Sequence, residues 1–328
     1  MEILRFGPDE TDRLAAYVDV VNAARAADSP WEHPSTLKGA EARFRYGWEG
    51  EVETPFLGLV DGRPVAVGRL ATSEYDNLHL AWLGVQVHPE HRRRGLGSEL
   101  LKALVAETRA LGRTSIGLDG WDGDAARGFA TAHGLEEKSR SIQRRQLLAD
   151  LDWGSIERLH ASASAAATDY ELVRREGRTP DDELEAAAEM TMAINDAPTD
   201  DLDIEDEIYS PERVRAYEEA QLSSGVRLFR VLARHRGTGE LAGHSVVVVE
   251  GDRPEIAHQH DTSVVAAHRG HRLGLLLKAD MNLWLRGEQP QLVSIDTWNA
   301  ESNDHMIGVN EALGYRIVGR ELEFQKSV

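Results

Sequence analysis

The stretch VHPEHRRRGLGSELLKAL, residues 87–104, decides how the chain is read. A β-prone run over 82–87 leads into it. Arg92, Arg93 and Arg94 then precede a Gly95-Leu96-Gly97 turn, and the apolar spacing over 98–111 predicts a helix. A glycine turn that opens a helix aims several backbone N–H groups one way, which suits a pyrophosphate. Glycine serves where the backbone must come close to phosphate oxygens or take a positive φ. Taken alone, the same residues equally describe a helix-opening turn with surface arginines. They are not the dinucleotide fingerprint, since Leu100 stands at its last glycine position, and no G-K-[ST] phosphate loop is present.

Working outward, the stretch has a second copy. VAAHRGHRLGLLLKADM, from residue 265, aligns with it so that His91-Arg92 meets His268-Arg269. Downstream, SIGLDGW ending at Trp121 matches VSIDTW ending at Trp298, and both landmarks are offset by 177 residues. Upstream, FLGLVDGRPVAVGRL from Phe56 and LFRVLARHRGTGELAGHSVVVVE from Leu228 both alternate around a Gly-containing turn and predict β-hairpins. The opening MEILRFGPDE and the run from Tyr170 each begin a copy, with a short strand, a polar break and a helical pattern. Agreement between separate landmarks implies a duplication. The expected class is α/β (α+β), with two tandem domains, each a mixed, mostly antiparallel sheet flanked by helices. The divisions expected are 1–150, a linker at 151–168, and 169–328.

The 328-residue length suits two domains, and 41% apolar residues can build their cores. The absence of cysteine excludes disulfides, thiolate metal sites and cysteine nucleophiles. A net charge of −19 argues against a nucleic-acid partner and would attract a cationic substrate, although it equally describes a well-solvated surface. No apolar run is long enough for a bilayer and no secretory leader is visible, so no membrane partner and a cytoplasmic location are expected.

Residues 87–97 resemble the acyl-CoA-binding signature of the GNAT N-acetyltransferases, [QR]-x-x-G-x-[GA]. The second copy, Arg269-Gly270-His271-Arg272-Leu273-Gly274, departs from it with Arg272 at the first glycine position. Arg272 would serve there only at negative φ. Asn299 and Asn303, followed by Asn310-Glu311-Ala312-Leu313-Gly314-Tyr315, resemble the family's C-terminal motif, while the first copy is degenerate there. The resemblance covers nearly the whole chain, and the two-copy architecture is similar to that of the mycothiol synthases. It implies acetyl-CoA, or CoA, as cosubstrate, held by Val85, Val87, Arg92, Arg93, Arg94, Gly95, Leu96, Gly97 and Ser98 in the first copy. In the second copy it implies Val264, Val265, Arg269, Gly270, His271, Arg272, Leu273 and Gly274, with Asn299 and Asn303. It also implies a β-bulge in the preceding strand that frees an amide for the thioester carbonyl.

An amine acceptor must lose a proton, so a general base is expected. His260, then His258, are the candidates, on one face of the strand before the second loop, with Asp261 opposite. Both equally suit satisfied strand residues. A His-x-His metal site lacks a third ligand, so no metal is expected. The tyrosine general acid of many relatives falls on Asn310 and Ala130, neither of which can act as a phenol. Residues 195–207 hold seven acids and no base, which suits a cationic amine near the second acceptor site or a solvated loop. The implied function is transfer of an acetyl group to the amine of a small, cationic acceptor by direct attack. The second copy is favoured for the chemistry by its histidines, acidic run and fuller C-terminal motif, with the first copy binding CoA as a structural ligand. The alternative is a CoA-binding sensor or scaffold without turnover. Sequence leaves the oligomeric state open.

Overall fold

The computed structural model describes residues 1–328, which divide into two compact units. Unit 1 comprises Met1–Ser141, Thr199–Asp206 and Gly319–Val328, and unit 2 comprises Ile142–Pro198 and Glu207–Val318.

In unit 1, β1 (Glu2–Arg5), α1 (Thr11–Asp28) and α2 (Leu37–Tyr46) precede a hairpin of β2 (Thr54–Val60) and β3 (Arg63–Ala71). The Asp61-Gly62 turn takes φ of 50° and 73°, the double left-handed geometry of a two-residue hairpin. β4 (Leu80–Val87), α3 (Leu96–Ala110), β5 (Ser115–Trp121) and α4 (Asp124–Ala132) follow. β4 and β5 run parallel, joined through α3, whereas β1–β2, β2–β3 and β3–β4 are antiparallel. The strand order is β1-β2-β3-β4-β5-β12, where β12 (Arg316–Ser327) is the last strand of the chain. Leu100, Leu101 and Leu104 of α3 pack on one face with Phe56, Leu83, Ile116, Leu322 and Phe324. Leu14 and Val21 of α1, with Phe44 of α2, cover the other face at Leu57 and Val67.

Unit 2 repeats the plan. It takes the end of β6 (Glu136–Leu147), then α5 (Trp153–Ala166), β7 (Tyr170–Glu176), α6 (Leu184–Thr191), α7 (Pro211–Ser223), and the antiparallel β8 (Arg227–His235) and β9 (Leu241–Val249). β10 (Ile256–Val264), α8 (Leu273–Glu288), β11 (Ser294–Ala300) and α9 (Asp304–Ala312) complete it, in the order β6-β11-β10-β9-β8-β7. The β-branched run Val246, Val247, Val248 and Val249 is buried on both faces, by Val247 and Val249 under α5 and α8 and by Val246 and Val248 toward α7.

Two features differ from a cut made along the chain. The segment expected as a linker helix or an exposed connection forms α5, which Asp152 caps at 3.2 Å and which buries Ile156 and Ala163 in the core of unit 2. Each sheet also closes with the other copy's final strand. β5 pairs with β12 from Trp121↔Glu321 to Ser115↔Ser327, and β11 neighbours β6.

Candidate functional site

After β4, a short turn over Pro89–His91 leads to Arg92, and α3 opens at Leu96. Arg93 and Gly95 sit at φ of 60° and 80°. The first N–H groups of α3 lack acceptors within the helix. A Cβ added at Gly95 would meet nothing within 4 Å, whereas one at Gly97 would meet the Phe129 ring at 3.3 Å. The first glycine therefore serves backbone conformation under open space, and the second serves packing. The Arg92 guanidinium does not face that space. Its Nε donates to the Val87 carbonyl at 3.0 Å and its two terminal nitrogens donate to Asp28 at 2.7 Å each. Arg94 donates to the Glu90 carbonyl at 3.0 Å, Arg93 is exposed, and the Ser98 hydroxyl pairs with His133 at 2.9 Å. Val85 and Val87 pack against the α3 core.

The second loop has the same backbone with its residues traded. Gly270 and Arg272 hold φ of 86° and 58°, so each loop carries one glycine and one arginine at its two left-handed positions, in opposite order. Arg272 thus takes the sign that the sequence reading considered unfavourable, at about 1–2 kcal/mol for an L residue. Its guanidinium donates to Ser162 at 2.8 Å. Arg269 repeats the Arg92 brace, donating to the Val264 carbonyl at 3.1 Å and to Asp196. Leu273 and Gly274 are buried in α8, Val264 and Val265 pack on the two cores, and the His271 ring lies 5.4 Å from that of Tyr170. Asn299 accepts from Arg144 at 2.9 Å and from Asn310 at 3.3 Å, and Asn303 caps α9 at 3.1 Å. Both asparagines, expected at the cofactor, are engaged within the protein.

Both units splay their parallel strands beside the loop. β4–β5 pairing ends at Leu83↔Leu118, and β10–β11 pairing ends at His258↔Asp296. A register shift between Gln259 and Thr262 places a bulge in β10 at His260-Asp261, and the buried Gln259 amide donates to the Val246 carbonyl at 2.6 Å and to the His260 carbonyl at 3.2 Å. β3–β4 pairing is regular, so only unit 2 has the expected bulge.

The histidines differ in their suitability as bases. Desolvation, then the charge of His258, lowers the His260 imidazole to about 3, and its Nδ1 pairs with the Tyr217 hydroxyl at 2.6 Å. A base that weak is mismatched to an ammonium ion near neutrality. His258 donates from Nε2 to Glu250 at 2.8 Å and stacks on Trp298 at 6.4 Å. Burial favours the neutral Glu250 carboxyl, but hydrogen bonds from His258 and Arg253 outweigh it and hold the group below its ordinary range. On the turn before the first loop, His88, Glu90 and His91 bring one possible ligand atom each within 4.8 Å of the others, a grouping the sequence reading, which expected no metal, passed over.

The sequence reading also missed the most acidic cluster beside a loop. Asp119 and Asp296 occupy equivalent repeat positions at the two splays, but their surroundings are opposite. Asp296 is fully buried and accepts two bonds from Arg145, at 2.6 and 2.7 Å, and one from Gln143 at 3.2 Å. Asp119 is half-buried, accepts from Trp82 at 2.6 Å and Arg69 at 3.0 Å, and stands opposite Glu323 of β12. Glu321, one pleat along, is pushed well above the ordinary carboxyl range, first by burial and then by the charge and hydrogen bond of Asp119. Glu323 is raised by burial, with Ser139 and Ser141 partly opposing, whereas Arg43 and Arg69 hold Glu53 low against its burial. Trp31 and Trp121 stack edge-to-face at 5.2 Å over Gly319, and Trp121 donates to Glu32 at 3.2 Å. The repeat offset pointed to Asp119. Its carboxylate neighbours come from a strand 200 residues away and left no local signal.

The acidic run at 195–207 is divided. Asp196 and Asn195 stay with unit 2, but Thr199–Asp206 belongs to unit 1, where the Glu205 amide donates to Asn77 at 2.7 Å, the Asp203 amide to Gln325 at 2.7 Å, and Asp200 accepts from Ser139 at 2.8 Å. No helix is long and apolar enough to cross a membrane.

Comparison with known proteins follows the same lines. Residues 20–135 match the acetyltransferase (GNAT) family. A tandem GNAT protein from the clavulanic acid biosynthesis pathway is similar over 99% of this chain and 98% of its own, at 24% identity and a TM-score of 0.81. A GCN5-related N-acetyltransferase from Sphaerobacter thermophilus is similar over 99% and 95%, at 16% identity and a TM-score of 0.66. No protein of curated function matches the sequence.

Proposed function

We propose, for a chain whose residues 20–135 form an acetyltransferase (GNAT) family domain and whose whole length takes the tandem GNAT fold, that unit 1 moves an acetyl group from acetyl-CoA to the amine of a small cationic acceptor. The observation that carries this reading is one juxtaposition. A G-x-G turn under open space leads into α3, and the splay beside it ends at a half-buried cluster of carboxylates and indoles.

The residues fit the cosubstrate. Anionic phosphates would meet the amides that open α3 and the exposed Arg93, while Arg92 and Asp28 keep the turn in shape. Past Leu83, the side of β4 that faces away from β3 has no strand partner, so its main-chain groups can pair with an extended amide arm. The amine nitrogen attacks the thioester carbonyl, the C–N bond forms, the C–S bond breaks, and CoA leaves as a thiolate. A free thiol has a pKa of about 8.5, so this departure does not require the tyrosine that both copies lack. A cationic acceptor suits Asp119, Glu32 and the indole faces of Trp31, Trp82 and Trp121.

For unit 2, the copy that the sequence favoured for the chemistry, binding without turnover is now the favoured reading. Arg145 neutralises its equivalent aspartate, and His260 is too weak a base. The cytoplasm suits both readings, since acetyl-CoA is an intracellular thioester. Titration calorimetry with acetyl-CoA, repeated on Gly95→Val and Gly274→Val, tests the assignment. We expect Gly95→Val to lose at least tenfold in affinity and release of CoA thiol over an amine panel (spermidine, tyramine, kanamycin) to fall with it. Undetectable acetyl-CoA binding by the wild-type chain would sink the reading.

A further inference from the structure

Resting on that reading, we infer that Glu321, supplied by the last strand of the chain, is the general base of unit 1, and that Asp119 positions it. The geometry comes from the register of β5 and β12. Trp121↔Glu321 and Asp119↔Glu323 are direct partners, which places the Glu321 side chain one pleat from Asp119 at the end of the splay, within hydrogen-bonding reach of it. Gly319, two residues earlier, carries Trp31 and Trp121. A Cβ there would lie 2.5 Å from Trp121 and 2.8 Å from Trp31, so the indoles close over β12 only because that residue is glycine. Asp119 is fixed from the opposite side by Trp82 and Arg69.

Each element around Glu321 adds a charge. β5 contributes Asp119, β12 contributes Glu323, the loop after α1 contributes Glu32, which lies 3.6 Å from Arg25 of α1, and β3 contributes Arg69; Glu53, just before β2, pairs with Arg69 at 3.6 Å and accepts from Arg43 of α2 at 2.8 Å. Burial first, then the charge and hydrogen bond of Asp119, make Glu321 hold its proton to higher pH than an exposed carboxyl, and it is correspondingly a better proton acceptor once ionised. In the step, the ammonium of the acceptor gives one proton to the Glu321 carboxylate. The neutral amine attacks the acyl-CoA carbonyl, the C–N bond forms as the C–S bond breaks, the acylated nitrogen gives its second proton to solvent to become the amide, and the thiolate takes a proton from solvent. Glu321 then returns its proton to solvent, so the net products are the amide, free CoA and one released proton.

Two measurements test the inference separately from acetyl-CoA binding. Carboxyl-carbon NMR of the full chain should resolve a glutamate titrating well above the free-residue range and above the more modestly raised Glu323, and Glu321→Gln should remove that signal while Glu323→Gln leaves it. Titration of every glutamate in the ordinary range overturns the assignment, with no acceptor required. Kinetics on the same variants use thiol release with tyramine, or the slow hydrolysis of acetyl-CoA if no amine in the panel reacts. Wild-type kcat/KM should rise with pH along a limb that Glu321→Gln abolishes with at least a hundredfold loss, whereas Asp119→Asn should shift the limb to lower pH. An unchanged limb in Glu321→Gln, with acetyl-CoA binding intact, refutes the base and spares the functional reading. Absent acetyl-CoA binding by the wild-type chain, with the raised titration intact, refutes the functional reading and with it the catalytic role, leaving only the titration assigned to Glu321.

Discussion

At the scale of single residues, the sharpest physical anomaly is His244, which no motif singled out. It lies on β9 at 2% exposure, with neither ring nitrogen hydrogen-bonded, opposite Ser263 on β10, whose hydroxyl is also unpaired. Burial, and second the charge of Arg230, push its imidazole from 6.5 down to about 3. Because the folded value is the lower, the unfolded chain takes the proton first as pH falls. Stability that is present above about 6.5 is therefore lost progressively down to about 3, and one such group accounts for about 2 kcal/mol between pH 7.5 and 5. His244→Leu should remove that part of the acid sensitivity, and any cavity it leaves would cost the same at every pH. Urea denaturation at a series of pH values compares the slopes. Equal slopes in variant and wild type would refute the explanation. Sequence could not reveal this group, because a histidine in a valine-rich strand looks the same whether or not a partner waits on the next strand. His260 was legible as a candidate, but its Tyr217 contact comes from α7, 43 residues away.

At the scale of elements, the two loops were the most legible feature, since their chemistry is local and their spacing repeats. The role of the leading arginine was not legible. Arg92 and Arg269 each tie the end of a strand to an aspartate at or just beyond the end of a distant helix, so the motif's first position acts as a brace. The Arg92 pair is roughly a third exposed on its arginine side, which limits its worth to about 0.2–1 kcal/mol of stability. Its effect on the loop should be larger than its effect on folding. Asp28→Ala should reproduce most of the acetyl-CoA affinity lost in Arg92→Ala, a few-fold, although Asp28 is not among the residues expected to touch the ligand. Calorimetry on both variants decides this, and full affinity in Asp28→Ala beside a large loss in Arg92→Ala would mean that the guanidinium itself grips phosphate. The exchange of β6 and β12 lay beyond sequence reasoning for another reason. Offsets along the chain rank each final strand with its own copy, but strand partners are chosen by nonlocal pairing, and both strands offer similar alternation.

At the scale of the whole molecule, the sequence reported composition faithfully but not where charge accumulates. The net −19 is spread over many paired acids, yet the acidic run that looked like a lining for the second acceptor site gives eight of its residues to unit 1. A field of that sign has opposite consequences for the two substrates of the proposed reaction. It draws a cationic amine toward the protein and repels acetyl-CoA, whose phosphates are anionic, except where the arginines of the loops reverse it locally. Salt screens both effects over a Debye length of about 10 Å at 0.1 M and about 3 Å at 1 M, and long-range attraction is lost before short-range pairing. Raising NaCl from 0.05 to 0.5 M should therefore increase KM for a polycation such as spermidine severalfold, while KM for a neutral-bodied monoamine such as tyramine changes less. KM for acetyl-CoA should move by a smaller factor, because the screened repulsion and the weakened loop contacts oppose each other. Steady-state kinetics at matched pH with the three substrates makes the comparison. A salt response no larger for spermidine than for tyramine would show that the acidity of this chain serves its solvation and not the recruitment of its acceptor.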